Sequence, residues 1–320
     1  MSELRLFYQE NGKLKISKSL ETLKKVDKSA LLWIDLIDVS DAEETELEQF
    51  LKIYIQDDEE IEEIEMSARF IQTDDSIVAN TSFLPDDFLP DNNTPEPISF
   101  ILKNGILVSV RDIELKSFTE TVKKIHANTR NFPTGYHVLV TLLETRVETD
   151  ADMIEELTDQ ITSLSKTLNN EDDLDEEILI QIKELQEKVM IIRQNILDKQ
   201  RVVSNLLKST LVPRELLQRL TMVIKDINSL FEYIRFGFDR LDYLQDTFLG
   251  LVNLQQNKII KIFTVVTVIF MPPTLVASIY GMNFRLMPEL DWEFGYLFSI
   301  ALMTGCSVAL LYYFKKKKWL

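Results

Sequence analysis

The stretch Ile262–Phe284, IFTVVTVIFMPPTLVASIYGMNF, runs for 23 residues without an Asp, Glu, Lys or Arg. At about 1.5 Å per residue such a run crosses the ~30 Å of bilayer hydrocarbon, and helices in soluble cores rarely stay uncharged on every face over that length. A second uncharged run of 21 residues, Phe294–Phe314, follows closely. Two C-terminal transmembrane helices are therefore predicted, and the rest of the chain is read outward from them. Lys258 and Lys261 precede the first span, Lys315, Lys316, Lys317 and Lys318 follow the second, and the connecting loop sets Arg285 against Glu289, Asp291 and Glu293. Positive flanks favour the cytoplasmic side, so a multi-pass protein of the cell (inner) membrane with both termini in the cytosol is expected. Tyr280, Trp292 and Tyr296 at the outer ends, and Tyr312, Tyr313 and Trp319 at the inner one, stand where amphipathic rings meet lipid headgroups. The first ten residues, MSELRLFYQE, are charged and contain no apolar signal core, so the part ahead of the spans is expected to stay in the cytosol.

The two parts differ in charge. The 320 residues carry a net charge of −17, yet from Lys258 onward seven positive residues outnumber three negative ones, which leaves −21 on residues 1–257. So acidic a surface disfavours nucleic acid and makes cations the natural guests. The single Cys306 excludes a disulfide framework within the chain and any multi-thiolate metal centre. The sequence has no GxxxxGK phosphate loop, no GxGxxG and no HExxH, and its two histidines, His126 and His137, stand without matched partners and read as surface or packing residues. The acidic run Glu171–Glu177 lacks the glycine and the 12-residue ligand spacing of an EF-hand. Catalysis and ATP use are not expected; transport without hydrolysis fits better.

Residues 1–133 read as a mixed α/β domain, 134–257 as long helices and 258–320 as a two-helix membrane domain. In the first, an apolar run Leu31–Val39 precedes acidic amphipathic helices near Glu44–Tyr54 and Asp58–Arg69, then strands near Ser76–Leu84 and Ile98–Asp112. Asn104-Gly105 divides ISFILKNGILVSV into two apolar runs, and both residues tolerate the positive φ of a type I′ hairpin turn. Pro85–Pro97, with four prolines, reads as a loop. Apolar positions every three or four residues predict a helix over Thr134–Asn170, and a second helix runs from about Glu176 to Leu207, antiparallel to it. Pro213 opens a third, in which no proline recurs before Pro272, so one helix of about 67 residues, roughly 100 Å, is expected to form a stalk entering the membrane. Its length points to packing against the preceding helices or against copies of itself.

Alternating steps of three and four from Asn257 select Asn257, Ile260, Thr264, Thr267, Met271, Thr274 and Ser278, mostly polar, small or soft residues, whereas the rest of the span is mainly Ile, Val, Phe and Leu. Two spans cannot enclose a water-filled path, but a ring of such helices from several subunits can, and this stripe is the candidate lining. A lone hydroxyl in a membrane helix commonly bonds its own backbone; a whole stripe points further. The pair Pro272-Pro273 is expected to loosen or kink the span.

Tyr280-Gly281-Met282-Asn283-Phe284, the loop Met287-Pro288-Glu289-Leu290 and the terminal Lys315–Trp319, KKKKW, follow one another in an order and spacing that resembles the CorA family of divalent-cation channels. The resemblance implies an α+β cytosolic domain with a long helical stalk and two C-terminal transmembrane helices, assembled as a membrane homopentamer that carries Mg²⁺, and also Co²⁺ or Ni²⁺, inward. It implies that Gly281, Met282 and Asn283 meet the ion at the outer mouth, that Asn257 closes the cytosolic end, and that a hydrophobic gate lies between Met271 and Ile260 with Phe263 beside it. Divalent ions would also act as regulatory ligands, with Asp246 on the stalk and Asp86 or Asp87 as partner; a second stalk carboxylate of the family falls on Met222 here, a departure. Lys315–Lys318 and the acidic run 171–177 are a candidate gating contact. A Zn²⁺ transporter of the same superfamily, ZntB-like, is the alternative within transport, and a membrane-anchored oligomeric scaffold the alternative outside it.

Overall fold

The computed structural model describes residues 3–56, 69–86, 94–168, 175–283, 285, 287–288 and 291–317, in two compact units, Met1–Gln245 and Asp246–Leu320. The expected helix near Asp58–Arg69, Asp87 and most of the acidic run 171–177 lie outside the described residues.

The first unit is built on a seven-stranded mixed sheet. Its strands are β1 (Glu3–Glu10), β2 (Lys13–Ser17), β3 (Leu31–Ile37), β4 (Phe70–Gln72), β5 (Ser76–Phe83), β6 (Glu96–Lys103) and β7 (Ile106–Arg111), in the order β2-β1-β3-β7-β6-β5-β4. All pairs are antiparallel except β3 with β7. Every residue of β3 is buried, which is why Leu31–Ile37 reads as an unbroken apolar run. Helices α1 (Leu20–Lys25) and α2 (Asp41–Leu51) bury Leu23 and Leu47 with Leu4, Leu6, Ile34 and Leu36. Elsewhere Phe118 of α3 (Lys116–Ala127) packs with Trp33, Phe83 and Phe100. The Asn104-Gly105 turn forms as expected, with φ of 51° and 80°. An Asn11-Gly12 turn with φ of 53° and 74° closes β1 onto β2 by the same chemistry.

Three long helices follow: α4 (Gly135–Thr167), α5 (Glu176–Lys208) and α6 (Leu217–Tyr280). Within the first unit α6 buries Leu220, Val223, Ile227, Leu230, Ile234, Leu241 and Leu244, a seam of alternating four- and three-residue steps apart from one skipped step, at which Gly237 lies beside Ile161 of α4. Polar bonds flank that seam: Arg219 donates to Glu144 and Thr141 of α4, Arg240 to Thr162, and Gln186 of α5 to Asp242. The stalk-forming helix thus packs first against the two helices before it.

The sheet is joined to α4 and α5 by buried charge. Arg146 donates to Asp150 Oδ1 (2.8 Å) and to the Leu84 carbonyl (2.8 Å), while Lys199 pairs with Asp150 Oδ2 (2.9 Å) and bonds Asn195. Arg146 and Lys199 are fully buried. Burial holds the Lys199 ammonium down to about 8, against the opposing pull of Asp150 and with Arg146 adding to the drop.

Two consequences are measurable on the detergent-solubilised chain. A Cβ at Gly135 would collide with the backbone of Ile106 and Leu107, so Gly135→Ala is expected to destabilise the first unit by about 2–4 kcal/mol in denaturant titrations. Below about pH 8 Lys199 is charged in both states and its burial penalty is complete; between there and the ordinary lysine value of 10.5 only the unfolded chain keeps the proton. Stability of the unsubstituted chain relative to Lys199→Met should therefore rise across pH 8–10.5, by up to about 3 kcal/mol.

Candidate functional site

The second unit holds the C-terminal part of α6 and helix α7 (Gly295–Lys316). Both helices are long and apolar enough to cross a membrane, and the apolar window of α6 is not buried as the core helix of a soluble domain would be. Phe263, Phe270, Met271 and Leu275 each stand more than half exposed.

Shielding along the α6 span is confined to Val265, Val268, Ile269, Pro272, Pro273, Val276 and Tyr280, steps that keep to one face. On α7 the shielded positions are Gly295, Ser299, Met303, Cys306, Ser307, Leu310 and Phe314, again one face, and a hydrogen bond from Ser307 Oγ to the Ile269 carbonyl (3.1 Å) joins the two. Asn257, Ile260, Phe263, Thr264, Thr267, Met271, Thr274 and Ser278 are all exposed. At 3.6 residues per turn the stripe centre lies roughly 150° round α6 from the face that α7 covers. The polar stripe and the covered face are therefore on nearly opposite sides of one helix.

Within the stripe, the hydroxyls of Thr264, Thr267 and Thr274 donate to the carbonyls of Ile260, Phe263 and Phe270, each at 2.8 Å. This is the local backbone bond that such residues make in apolar helices, and it leaves each oxygen with acceptor capacity only. Helix α6 ends at Tyr280, with Gly281 N–H still bonded to the Ala277 carbonyl (2.9 Å); Gly281, Met282 and Asn283 follow, all exposed. Phe284, Glu289 and Leu290 lie outside the described residues.

Asp246 is an exposed residue of α6. Asp86 is exposed, and its carboxylate accepts from the Lys116 backbone N–H (2.6 Å), supplying from a distance the cap that Leu115 cannot give to α3. One oxygen of Asp86 is thus committed to a helix start, a use the sequence reading did not foresee. No group of three or more His, Cys, Asp or Glu side chains among the described residues could hold a metal ion. Lys315–Lys317 close α7, and Lys318 lies outside the described residues.

His137 is not without partners. Its Nδ1 meets Thr134 Oγ1 and its Nε2 meets Glu215 Oε1, both at 3.0 Å. Burial lowers its pKa, with Glu215 opposing. It ties the start of α4 to the turn that leads into α6, a packing role that 78 residues of separation conceal in the sequence. The Ser307 bond was likewise missed; the readable signal is the double proline, discussed below.

A family model described as "CorA-like Mg2+ transporter protein" matches residues 28–316. The magnesium transport protein CorA of Wolinella succinogenes is 44% identical over 296 residues, covering 91% of this chain and 92% of that protein. That of Escherichia coli is 34% identical over 321 residues, covering 99% and 100%. Among solved structures, the complete CorA magnesium transporter from Methanocaldococcus jannaschii matches with a TM-score of 0.82 at 20% identity, covering 100% of this chain and 99% of that one. The cytoplasmic domain of ZntB from Vibrio parahaemolyticus matches with a TM-score of 0.62 at 12% identity, over 79% of this chain and 99% of that one. At those identities the two structural likenesses speak for the fold.

Proposed function

The chain belongs to the CorA-like Mg2+ transporter family, and from that premise we propose that it forms a homopentameric channel through which Mg²⁺ enters the cytosol. The observation that carries this reading is the opposition of faces on α6: α7 shields one side, and the hydroxyl-rich stripe is left uncovered on the other. A helix covered by a partner on one face and polar on the opposite one suits a wall position, with α7 toward lipid and the stripe toward a shared axis. Residues of α6 outside its buried seam, among them Met222, Tyr233, Phe236 and Tyr243, are large, apolar and exposed, a second surface that copies of the helix could bury.

In this reading Asn283, with Gly281 and Met282, stands at the outer mouth, Thr274 and Met271 follow inward, the segment from Met271 to Ile260 with Phe263 forms the hydrophobic constriction, and Asn257 borders the cytosol. Neutral oxygens suit the cargo. Mg²⁺ holds its water shell at about 2.0–2.1 Å and sheds it reluctantly, so a site that bonds the outside of the hydrated ion avoids dehydration and releases the ion again. Co²⁺, which also travels as a hexahydrated ion, would pass by the same route. The lysines flanking both spans support an inner-membrane protein with both termini in the cytosol. Inward flux is favoured by about 2.3 kcal/mol per charge per 100 mV, so a brake is needed. Asp246, with Asp86 or Asp87 of a neighbouring subunit, is proposed to bind cytosolic Mg²⁺ and hold the closed state. Zinc transport has less support: the relatives at 34% and 44% identity are named for magnesium, and the ZntB likeness is one of fold.

Asn283→Ala is expected to lower Mg²⁺ uptake into vesicles about tenfold or more while the oligomer stays assembled; unchanged flux would remove the triplet from the pathway. Millimolar Mg²⁺ should protect residues 1–257 from protease, and Asp246→Ala should weaken that protection; an identical response in both proteins takes Asp246 out of the sensor.

A further inference from the structure

Helix α6 has one backbone oxygen that its own helix cannot serve well. A helical carbonyl accepts from the N–H four residues on or, in a tighter turn, from the one three residues on. For Ile269 those residues are Pro273 and Pro272, and neither has an N–H. The preceding carbonyl, on Val268, loses only its partner at Pro272, because Met271 still has an N–H three residues on. Two adjacent prolines thus single out Ile269, in the middle of a span where no water is available to compensate.

The second span brings a donor to that oxygen. Ser307 Oγ, on the face of α7 that meets α6, lies 3.1 Å from the Ile269 carbonyl. The hydroxyls of Thr264, Thr267, Thr274, Ser299 and Thr304 each donate within their own helix, whereas that of Ser307 donates across.

We propose that Ser307 is a positioning residue for the ion pathway. Its hydroxyl stands in for the two missing N–H groups and ties α7 to α6 at the level of the proline pair. The bond thereby sets the direction in which the outer half of the stripe, Met271, Thr274 and Ser278, points relative to Thr264 and Thr267 of the inner half. A shift of α7 reaches the stripe through this polar bond. The inference rests on the reading of α6 as the pathway wall.

The test is a double-substitution cycle on the full-length chain, comparing the unsubstituted protein, Ser307→Ala, Pro273→Ala and the combination, with Mg²⁺ flux into vesicles and unfolding temperature in detergent as separate readouts. Alanine at 273 restores the N–H that Ile269 lacks. Ser307→Ala is expected to lower flux about fivefold and to lower the unfolding temperature when Pro273 is present. Both losses should vanish in the Pro273→Ala background, and Ser307→Thr, which keeps the hydroxyl, should retain the flux. Equal losses in both backgrounds, or no loss with Pro273 present, overturn the proposal. Coupling in unfolding temperature with none in flux overturns the positioning role and leaves only a structural bond. Flux that survives Asn283→Ala unchanged would instead count against the pathway reading, while the unfolding-temperature cycle still decides the bond.

Discussion

A peptide chain inside hydrocarbon must satisfy each of its N–H and C=O groups without water, and that constraint governs helix α6 more than any other. It explains why the two spans are helices, why the threonine hydroxyls turn back onto carbonyls four residues earlier, and why a proline pair in mid-span needs an answer from outside the helix. The pairing of α6 with α7 is accordingly more than a matter of apolar packing. Val265 and Phe314 are buried in the unit, yet the Ser307 bond marks where the two backbones must stay in register.

The same helix obeys a different rule before it reaches the membrane. From Leu220 to Leu244 it buries a seam of alternating three- and four-residue steps against α4 and α5, and in the span the polar stripe keeps a similar rhythm. Under-wound toward 3.5 residues per turn, a helix with this repeat holds one line of side chains toward one neighbour over many turns, whereas a straight one drifts by about 20° per heptad. One continuous element can therefore pack against the helices before it in one segment and, in the proposed assembly, face a common axis in another.

Much of this was legible. The spans followed from 23 and 21 residues free of charge, the long helices from apolar spacing, the hairpin at Asn104-Gly105 from the φ its residues accept. The Asn11-Gly12 hairpin obeyed the same rule and was missed, although Leu4 and Leu6 of β1 and Leu14 of β2 alternate with charged neighbours. What could not be read were partnerships formed by tertiary packing. Arg146, Asp150 and Lys199 look like surface charge on amphipathic helices until folding buries them together; His137 finds Glu215 far along the chain; Asp86 caps a helix that starts thirty residues later. In the candidate site the stripe was visible because periodicity is local, whereas the Ser307 bond needed the relative height of two helices.

The threonines of α6 carry a final implication. Because each hydroxyl proton is fastened to a carbonyl one turn earlier, these oxygens keep acceptor capacity only. In the proposed pathway, chloride would find no donor at these threonines, while the water protons around a cation would find acceptors. Sign discrimination would then arise in the hydrogen-bond polarity of the stripe, which holds no ionised side chain.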